Sequence, residues 1–244
     1  MHWRSTGTRA VLRGVHANEP TGPWTCGRGR PELSDPSGPT LGWVPAVDLV
    51  LFDLGGVLLE LGGIEAMGEM AGMGDDEEIW RRWLACPWVR RFERGGCTPE
   101  EFAAGMVEEW ALPVEPAAFL ASFASWPRGP YPGAVALVAE VQALVPVGVL
   151  SNTNALHWEE HGAMLAFLDG FDHRFLSFEL GLLKPDRDLF ERIAQLVPFA
   201  PHHVLFLDDN QVNVDGARAA GFRAERAIGP DGARTALTTA GVLE

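Results

Sequence analysis

The chain has 244 residues, of which 47% are hydrophobic and 21% are charged, and its formal net charge is −14. This composition supports a buried core and excludes a fully disordered chain, while the excess of acidic residues argues against binding to nucleic acid. Three cysteines are too few for a disulfide scaffold or a four-ligand zinc site. No apolar run reaches the roughly 18 residues that a membrane-spanning helix needs, and no secretory leader is recognisable. We therefore expect a cytoplasmic protein that binds neither membranes nor nucleic acid.

The first 45 residues differ from the rest of the chain. They contain seven glycines, six prolines and five arginines against three acidic residues, with no helical or strand period. Such a composition is typical of a flexible segment. We predict that residues 1–45 are a flexible N-terminal extension and that the folded part begins near Val47.

Short apolar runs that end in polar residues predict the strands of a parallel sheet. The predicted strands, of which the third is weaker and the fifth is an edge candidate, are Val47–Asp53, Val147–Asn152, His173–Phe178, His203–Asp209 and Phe222–Ile228. The helical patterns that accompany the later strands are Gly133–Leu144, Arg187–Val197 and Gln211–Ala220. This alternation predicts an α/β fold with a doubly wound, Rossmann-like parallel sheet.

The interval between the first two predicted strands is about ninety residues long, far more than one crossover helix needs. It contains three further helical patterns, Asp75–Cys86, Pro99–Trp110 and Glu115–Ser125. Thr98 followed by Glu101 predicts a capping box at the start of the middle helix. We predict an α/β core of residues 46–61 and 129–244 and a small helical cap of residues 62–128.

Three of the predicted strands end in polar residues, at the edge where open α/β sheets bind ligands. They are Asp53, then Ser151 and Asn152, then Asp208 and Asp209. Any one of these aspartates could simply cap the following helix. Two carboxylates 4 Å apart repel by about 4 kcal/mol at an effective dielectric constant near 20, and a divalent cation removes that cost. Ligands that are all oxygen atoms favour Mg²⁺, so we predict a magnesium site.

The loop after the third strand carries Lys184, the only lysine beside eighteen arginines. A chain that uses arginine almost everywhere and keeps one lysine here suggests a site that needs a compact, flexible point charge. Among carboxylates, this ammonium could hold both a nucleophilic aspartate and a phosphate oxygen.

Four motifs in this order resemble those of the haloacid dehalogenase-like (HAD) hydrolase superfamily. They are Phe52–Val57, Leu150–Asn154, Gly181–Pro185 and Phe206–Asn210 together with Asn213. The resemblance covers the chain from about Val47 to its C-terminus, and the helical insert resembles the small cap of that superfamily. The first two motifs are most similar to the subgroup that includes phosphatases of the glucose-1-phosphate type.

The resemblance implies a phosphoric monoester hydrolase with an aspartyl-phosphate intermediate. Asp53 would attack phosphorus. The metal would be held by the Asp53 carboxylate, the backbone carbonyl of Gly55 and Asp209, with Asp208 completing or orienting this set.

The remaining motif residues would bind or support the phosphoryl group. Ser151 and the backbone N–H of Asn152 would bind its oxygens, and Lys184 would stabilise both the nucleophile and those oxygens. Asn213 would support the metal ligands from the helix that follows Asp209.

Gly55 departs from the pattern of many phosphatases in this superfamily, which carry a general acid and base at that position. General acid–base help contributes typically 10²–10⁴-fold to a rate. Water, a cap residue or His157 would have to supply the proton, or the substrate would need a good leaving group. The subgroup that this chain resembles shares the glycine.

We therefore predict a Mg²⁺-dependent phosphatase, monomeric or homodimeric, that acts on a small phosphorylated metabolite, a sugar phosphate being one candidate. The first alternative is a 2-haloacid dehalogenase of the same fold, which needs no metal. The second alternative is a non-catalytic binding protein on this fold.

Overall fold

The computed structural model of the protein describes residues 47–160, 162 and 165–244. The predicted N-terminal extension lies outside the described residues. The described strands are β1 (Leu49–Phe52), β2 (Leu59–Leu61), β3 (Pro127–Pro130), β4 (Val147–Ser151), β5 (His173–Leu176), β6 (Val204–Asp208) and β7 (Arg223–Arg226). The described helices are α1 (Gly63–Ala71), α2 (Asp76–Ala85), α3 (Pro87–Glu93), α4 (Pro99–Trp110), α5 (Pro116–Ala124), α6 (Ala134–Gln142), α7 (Ala155–Glu160), α8 (Ser177–Leu180), α9 (Arg187–Leu196), α10 (Gln211–Ala219) and α11 (Gly229–Thr239).

Five of the strands form a parallel sheet in the order β5-β4-β1-β6-β7. Every residue of β1, β4 and β6 is buried, because hydrophobic clusters cover both faces of the sheet. The register places Val50 opposite Val147 on one side and opposite Leu205 on the other. The predicted doubly wound α/β fold is confirmed.

The strand order reverses on the two sides of β1. The chain passes from β1 through β4 to β5 on one side, and then returns to β6 and β7 on the other. In open α/β sheets this reversal opens a crevice beyond the carboxyl ends of the central strands. The residues that follow β1, β4 and β6 therefore lie around one crevice.

Helices α1–α5 form an insert that leaves and rejoins the sheet through the antiparallel pair of β2 and β3. The insert has its own aromatic core, in which Phe92 and Phe102 stack with ring centroids 4.3 Å apart. Helix α2 begins at Asp75, whose side chain accepts hydrogen bonds from the backbone of Glu77 and Glu78. The predicted capping box is present at the start of α4.

The sequence patterns did not indicate several short elements, namely the β2–β3 pair and helices α1, α3, α7, α8 and α11. Strand β3 is Pro-Arg-Gly-Pro and has neither β-branched residues nor alternation, and helix α3 spans only seven residues. In the part of the chain that the structure describes, no helix combines the length and the apolar character needed to cross a bilayer.

Candidate active site

The carboxyl ends of the central strands gather the predicted acidic residues. Asp53 directly follows β1, and Asp208 ends β6 and is followed by Asp209. One carboxylate oxygen from each of the three lies within 4.8 Å of the others. Asp53 and Asp208 are buried, whereas Asp209 is partly exposed to the crevice.

Lys184 lies between two of these carboxylates. Its Nζ is 2.8 Å from Asp53 Oδ1 and 2.7 Å from Asp208 Oδ2. The side chain is 1% exposed, so both ion pairs are shielded from water. Burial alone would lower the pKa of Lys184, but Asp208 and Asp53 outweigh it and raise the pKa above its ordinary value.

Asp208 is engaged by protein donors on both oxygens. Its Oδ1 accepts hydrogen bonds from the backbone of Asn210 at 2.8 Å and from Asn213 Nδ2 at 3.0 Å. Its Oδ2 accepts hydrogen bonds from Lys184 at 2.7 Å and from Asn213 Nδ2 at 3.1 Å. This arrangement suits Asp208 to positioning Lys184, and it leaves Asp53 and Asp209 as the carboxylates available to a ligand.

The loop that carries Lys184 is tied to the loop that follows β4. Asn152 Oδ1 accepts a hydrogen bond from the Lys184 backbone N–H at 2.9 Å, and Asn152 Nδ2 donates to the Lys184 carbonyl at 3.1 Å. Ser177 holds Thr153, the residue after Asn152, in the same two-way manner. The Ser177 hydroxyl accepts a hydrogen bond from the Thr153 backbone N–H and donates one to the Thr153 carbonyl. Buried Ser151 lies at the start of this loop and lines the crevice.

Gly56 is required by its backbone conformation and by close packing, whereas at Gly55 only the end of a half-exposed leucine side chain stands in the way. Gly56 has a φ of +74°, and a Cβ atom there would lie 2.2 Å from Asp209 Oδ2. A Cβ atom on Gly55 would lie 2.6 Å from Leu61 Cδ1. A side chain at position 56 would displace Asp209, and one at position 55 would have to displace Leu61 on β2.

A single ammonium does not compensate three clustered carboxylates. Burial raises the pKa of Asp53 to about 7, with Lys184 opposing this rise and Asp208 and Asp209 adding to it. Burial also raises the pKa of Asp209 to about 6, with Asp208 adding to the rise and Lys184 and Arg226 opposing it. The site therefore holds more negative charge than its own cation can neutralise.

This donor set fits Mg²⁺. Asp53 and Asp209 supply carboxylate oxygens, the acidic cluster found among the described residues includes no histidine or cysteine, and the backbone of Gly55 lines the same crevice. Asp53, Gly55 and Asp209 would hold the ion, and Asp208 would orient Lys184 beside it.

A cavity of about 600 Å³ lies over these residues, between the sheet edge and the insert. Aromatic side chains form much of its wall: Trp80, Trp83, Phe123, Trp126, Tyr131 and Trp158. Glu93 is a lining residue that the sequence patterns did not single out. Its only sequence signal was its place in a charged stretch that contains Arg90, Arg91 and Arg94.

Two arginines of that stretch contact the core. Arg90 and Arg94 both form ion pairs with Asp186, two residues after Lys184, the Arg90 pair at 2.8 Å. Arg91 instead donates to the carbonyl of Gly96 within the insert. Arg90 and Arg94 therefore fasten α3 to the loop of Lys184.

His157 also joins the core to the insert. Its ring stacks on Phe123 with centroids 4.2 Å apart, and its Nε2 is 2.8 Å from the Phe123 carbonyl. Its Nδ1 is 3.3 Å from Asn154 Nδ2. Both ring nitrogens of His157 have partners. The side chain therefore packs against Phe123 rather than presenting a proton to the crevice.

Comparisons with known proteins identify the family. The haloacid dehalogenase-like hydrolase family matches residues 47–221. The chain therefore belongs to this family of hydrolases, as its motifs predicted. An (S)-2-haloacid dehalogenase of Xanthobacter autotrophicus is 28% identical over an alignment of 192 residues that covers 74% of this chain and 74% of that one.

Solved structures of the family share the fold. A HAD family enzyme of Bacteroides thetaiotaomicron, in complex with magnesium and inorganic phosphate, has a TM-score of 0.60 at 23% identity, covering 75% of this chain and 94% of that one. The L-2-haloacid dehalogenase of Xanthobacter autotrophicus, with chloropropionic acid covalently bound, has a TM-score of 0.54 at 23% identity, covering 81% and 85%. Proteins with this fold thus include one in complex with magnesium and phosphate and one with a haloacid covalently bound.

Proposed function

We propose that this chain is a Mg²⁺-dependent phosphatase that hydrolyses a small phosphorylated metabolite through an aspartyl-phosphate on Asp53. The observation that carries the proposal is the third carboxylate, Asp209, beside a nucleophile that already shares Lys184 with Asp208. This excess of negative charge suits a bound cation and would repel an anionic substrate that arrived without one.

In this proposal each residue of the site has a separate role. Asp53 attacks phosphorus, and Lys184 holds the attacking carboxylate and faces the oxygens of the phosphoryl group. Ser151 and the backbone of Asn152 bind the remaining phosphoryl oxygens. Magnesium, when bound, supplies the positive charge that lets an anionic phosphoryl group approach Asp53.

The cavity wall indicates the chemistry of the leaving group. Among the described lining residues, Lys184 is the only lysine or arginine, whereas the lining acids outside the acidic cluster are Asp76, Glu77 and Glu93. A second phosphate or a carboxylate on the substrate would meet aromatic rings and like charges. We propose a monophosphate whose leaving group is uncharged, such as a sugar monophosphate, in keeping with the phosphatase subgroup that the motifs resemble.

The (S)-2-haloacid dehalogenase relative supports a second candidate function. That chemistry would also use Asp53 as the nucleophile, but its substrate is a carboxylate and its leaving group is a halide. Both anions would lie near Asp209 without a cation beyond Lys184 among the described lining residues. The geometry therefore favours the phosphatase.

The deciding experiment compares two reactions under two conditions. The wild-type protein is assayed for p-nitrophenyl phosphate and sugar monophosphate hydrolysis, and for chloride release from L-2-chloropropionate, each with Mg²⁺ and with EDTA. The proposal expects phosphate release that requires Mg²⁺ and that falls by roughly 10⁴-fold or more in Asp53→Asn.

Asp48→Asn is the matched control, because Asp48 precedes β1 at the opposite end of the same strand and pairs with His203. It should retain wild-type activity. Chloride release in EDTA without phosphatase activity would establish the dehalogenase instead, and inactivity in every assay would favour a binding protein.

A further inference from the structure

The reaction needs a proton donor that position 55 does not supply. Gly55 carries no side chain, and the space beside it is occupied by Leu61, whose Cδ1 would lie 2.6 Å from an added Cβ. His157 is committed on both ring nitrogens to Phe123 and Asn154. A donor from the protein would therefore have to come from another part of the cavity wall.

Glu93 supplies a carboxyl group in the wall of this cavity. It is the last residue of α3 and lines the same cavity as Asp53, Ser151 and Lys184. The residue is half-buried, and the charge of Lys184 acts on its carboxyl group. Glu93 therefore lies on the insert side of the cavity that holds the reacting groups.

The end of α3 is fixed on the core by contacts on both sides of Glu93. Arg90 and Arg94 hold Asp186, which lies in the same loop as Lys184. Gly95 packs so tightly that an added Cβ would lie 2.8 Å from the carbonyl oxygen of Phe178. Three contacts within six residues thus set the position of Glu93 relative to Lys184.

The geometry of phosphoryl transfer determines from which side of the phosphorus atom a general acid can protonate the leaving oxygen. Attack by Asp53 is roughly in line with departure of the leaving oxygen, so that oxygen lies on the face of phosphorus away from Asp53. Asp53 approaches from the sheet, so the leaving oxygen points toward the insert. Water that later cleaves the aspartyl-phosphate enters from the same side.

We propose that Glu93 is the general acid and general base of the reaction, supplied by the insert in place of a side chain at position 55. This inference rests on the proposed phosphatase function. It gives the insert a catalytic role in addition to enclosing the substrate.

The two steps return Glu93 to its starting state. In the first step, the bond from Asp53 to phosphorus forms, the bond from phosphorus to the leaving oxygen breaks, and that oxygen takes the proton of the Glu93 carboxyl. In the second step, water attacks phosphorus, the Glu93 carboxylate takes a proton from the water, and the bond to Asp53 breaks. The products are an alcohol and inorganic phosphate.

The ionisation of Glu93 suits this cycle. Burial raises its pKa to about 7, although Lys184 and Arg90 oppose the rise, so both protonation states are accessible near neutral pH. The other titratable groups around the cavity are Asp76 and Glu77 from α2, Tyr131 after β3, His157 from α7, Lys184 after α8, and Asp53 and Asp209 from the sheet edge.

Glu93→Gln tests the role with substrates that differ in their need for an acid. On a sugar or alkyl phosphate, whose leaving oxygen must be protonated, kcat should fall by about 10²–10⁴-fold. On p-nitrophenyl phosphate, whose leaving group departs as an anion, the variant should release one equivalent of nitrophenolate in a burst. Turnover should then be slow, because dephosphorylation lacks its base. Wild-type activity on alkyl phosphates should fall above about pH 7 as Glu93 loses its proton, and Glu93→Gln should lack this fall.

Glu78→Gln is the matched control, since it makes the same chemical change at an exposed acid of α2 outside the cavity. Both variants should show wild-type thermal unfolding. A wild-type protein without Mg²⁺-dependent phosphatase activity would overturn the proposed function itself. An active wild type with Glu93→Gln equal to it on alkyl phosphates, or reduced equally on both substrates without a burst, would overturn the role of Glu93 alone.

Discussion

Replacement of Lys184 by methionine should destabilise the protein strongly, because it removes the cation from a buried triad. The side chains of Lys184 and Asp208 are 1% and 0% exposed, and Lys184 Nζ lies within 2.8 Å of both Asp53 and Asp208. Removal of one partner from a buried ion pair costs about 3–5 kcal/mol, because a buried charge is left without compensation.

The structure places the expected loss within that range. Asp208 retains its hydrogen bonds from Asn210 and Asn213, which relieve part of the cost. Asp53 has a raised pKa and can take up a proton, which relieves more of the cost at acidic pH. We therefore expect a loss of about 3 kcal/mol at pH 8 and less at pH 5. At about 2–4 °C per kcal/mol for a domain of this size, Tm should fall by about 6–12 °C.

Urea unfolding in EDTA at both pH values measures this loss. Arg187→Met is the control, because it also removes one cation from the same part of the chain, but from an exposed pair with Glu191. Exposed pairs contribute about 0–1 kcal/mol. A loss below about 1 kcal/mol in Lys184→Met at pH 8, or one that equals the control, would refute the argument that Lys184 compensates buried carboxylates.

Two further predictions concern the same carboxylates. The pKa of Asp53 is about 7 in the folded protein against an ordinary value of 3.8, so its contribution to stability is present below pH 3.8 and is lost as pH rises through 7. Because Asp209 and Glu93 also have raised pKa values, the contribution of Asp53 is measured as the difference between the wild type and Asp53→Asn in urea unfolding in EDTA. The wild type should lose up to about 4 kcal/mol more than the variant between pH 4 and pH 8, and Mg²⁺ should offset this loss; a wild type that loses no more than Asp53→Asn would contradict it. Gly56→Ala should lower the free energy of unfolding by about 1–3 kcal/mol, because φ at this position is +74°. It should also weaken Mg²⁺ binding, measured calorimetrically, because the new Cβ would collide with Asp209. Gly72→Ala has φ +64° and open space, so it isolates the backbone cost, and equal effects of the two variants would show that Asp209 does not move.

The sheet and its acidic edge were predictable from the sequence because both follow from local patterns. Strand β1 is apolar throughout, and β4 and β6 have no polar residue before their last one, as burial on both faces requires; a polar residue ends or directly follows each strand. Once strands are parallel, their carboxyl ends meet at one edge. Asp53, Ser151 and Asp208 were therefore placed together without any knowledge of loops.

The insert side of the site was not predictable in the same way. Glu93 lies in a stretch with several charged residues, and nothing in the local pattern indicates which of them faces the cavity. That choice depends on Asp186, which is more than ninety positions away and binds Arg90 and Arg94. The sequence patterns also missed the β2–β3 pair, since Pro127 and Pro130 disfavour a strand and only pairing with residues 59–61 stabilises it.

The loop from Lys184 to Asp186 connects the sheet side of the site with the insert side. Its lysine joins Asp53 to Asp208, its backbone is held by Asn152, and its aspartate binds the arginines of α3. Asp53, the loop after β4 and the insert are therefore positioned by one short segment. A change that moves this segment would alter the approach of Glu93 and the pKa of Asp53 together. It follows that substitutions of Asp186 should affect catalysis although its carboxylate is engaged by arginines rather than by the reacting groups.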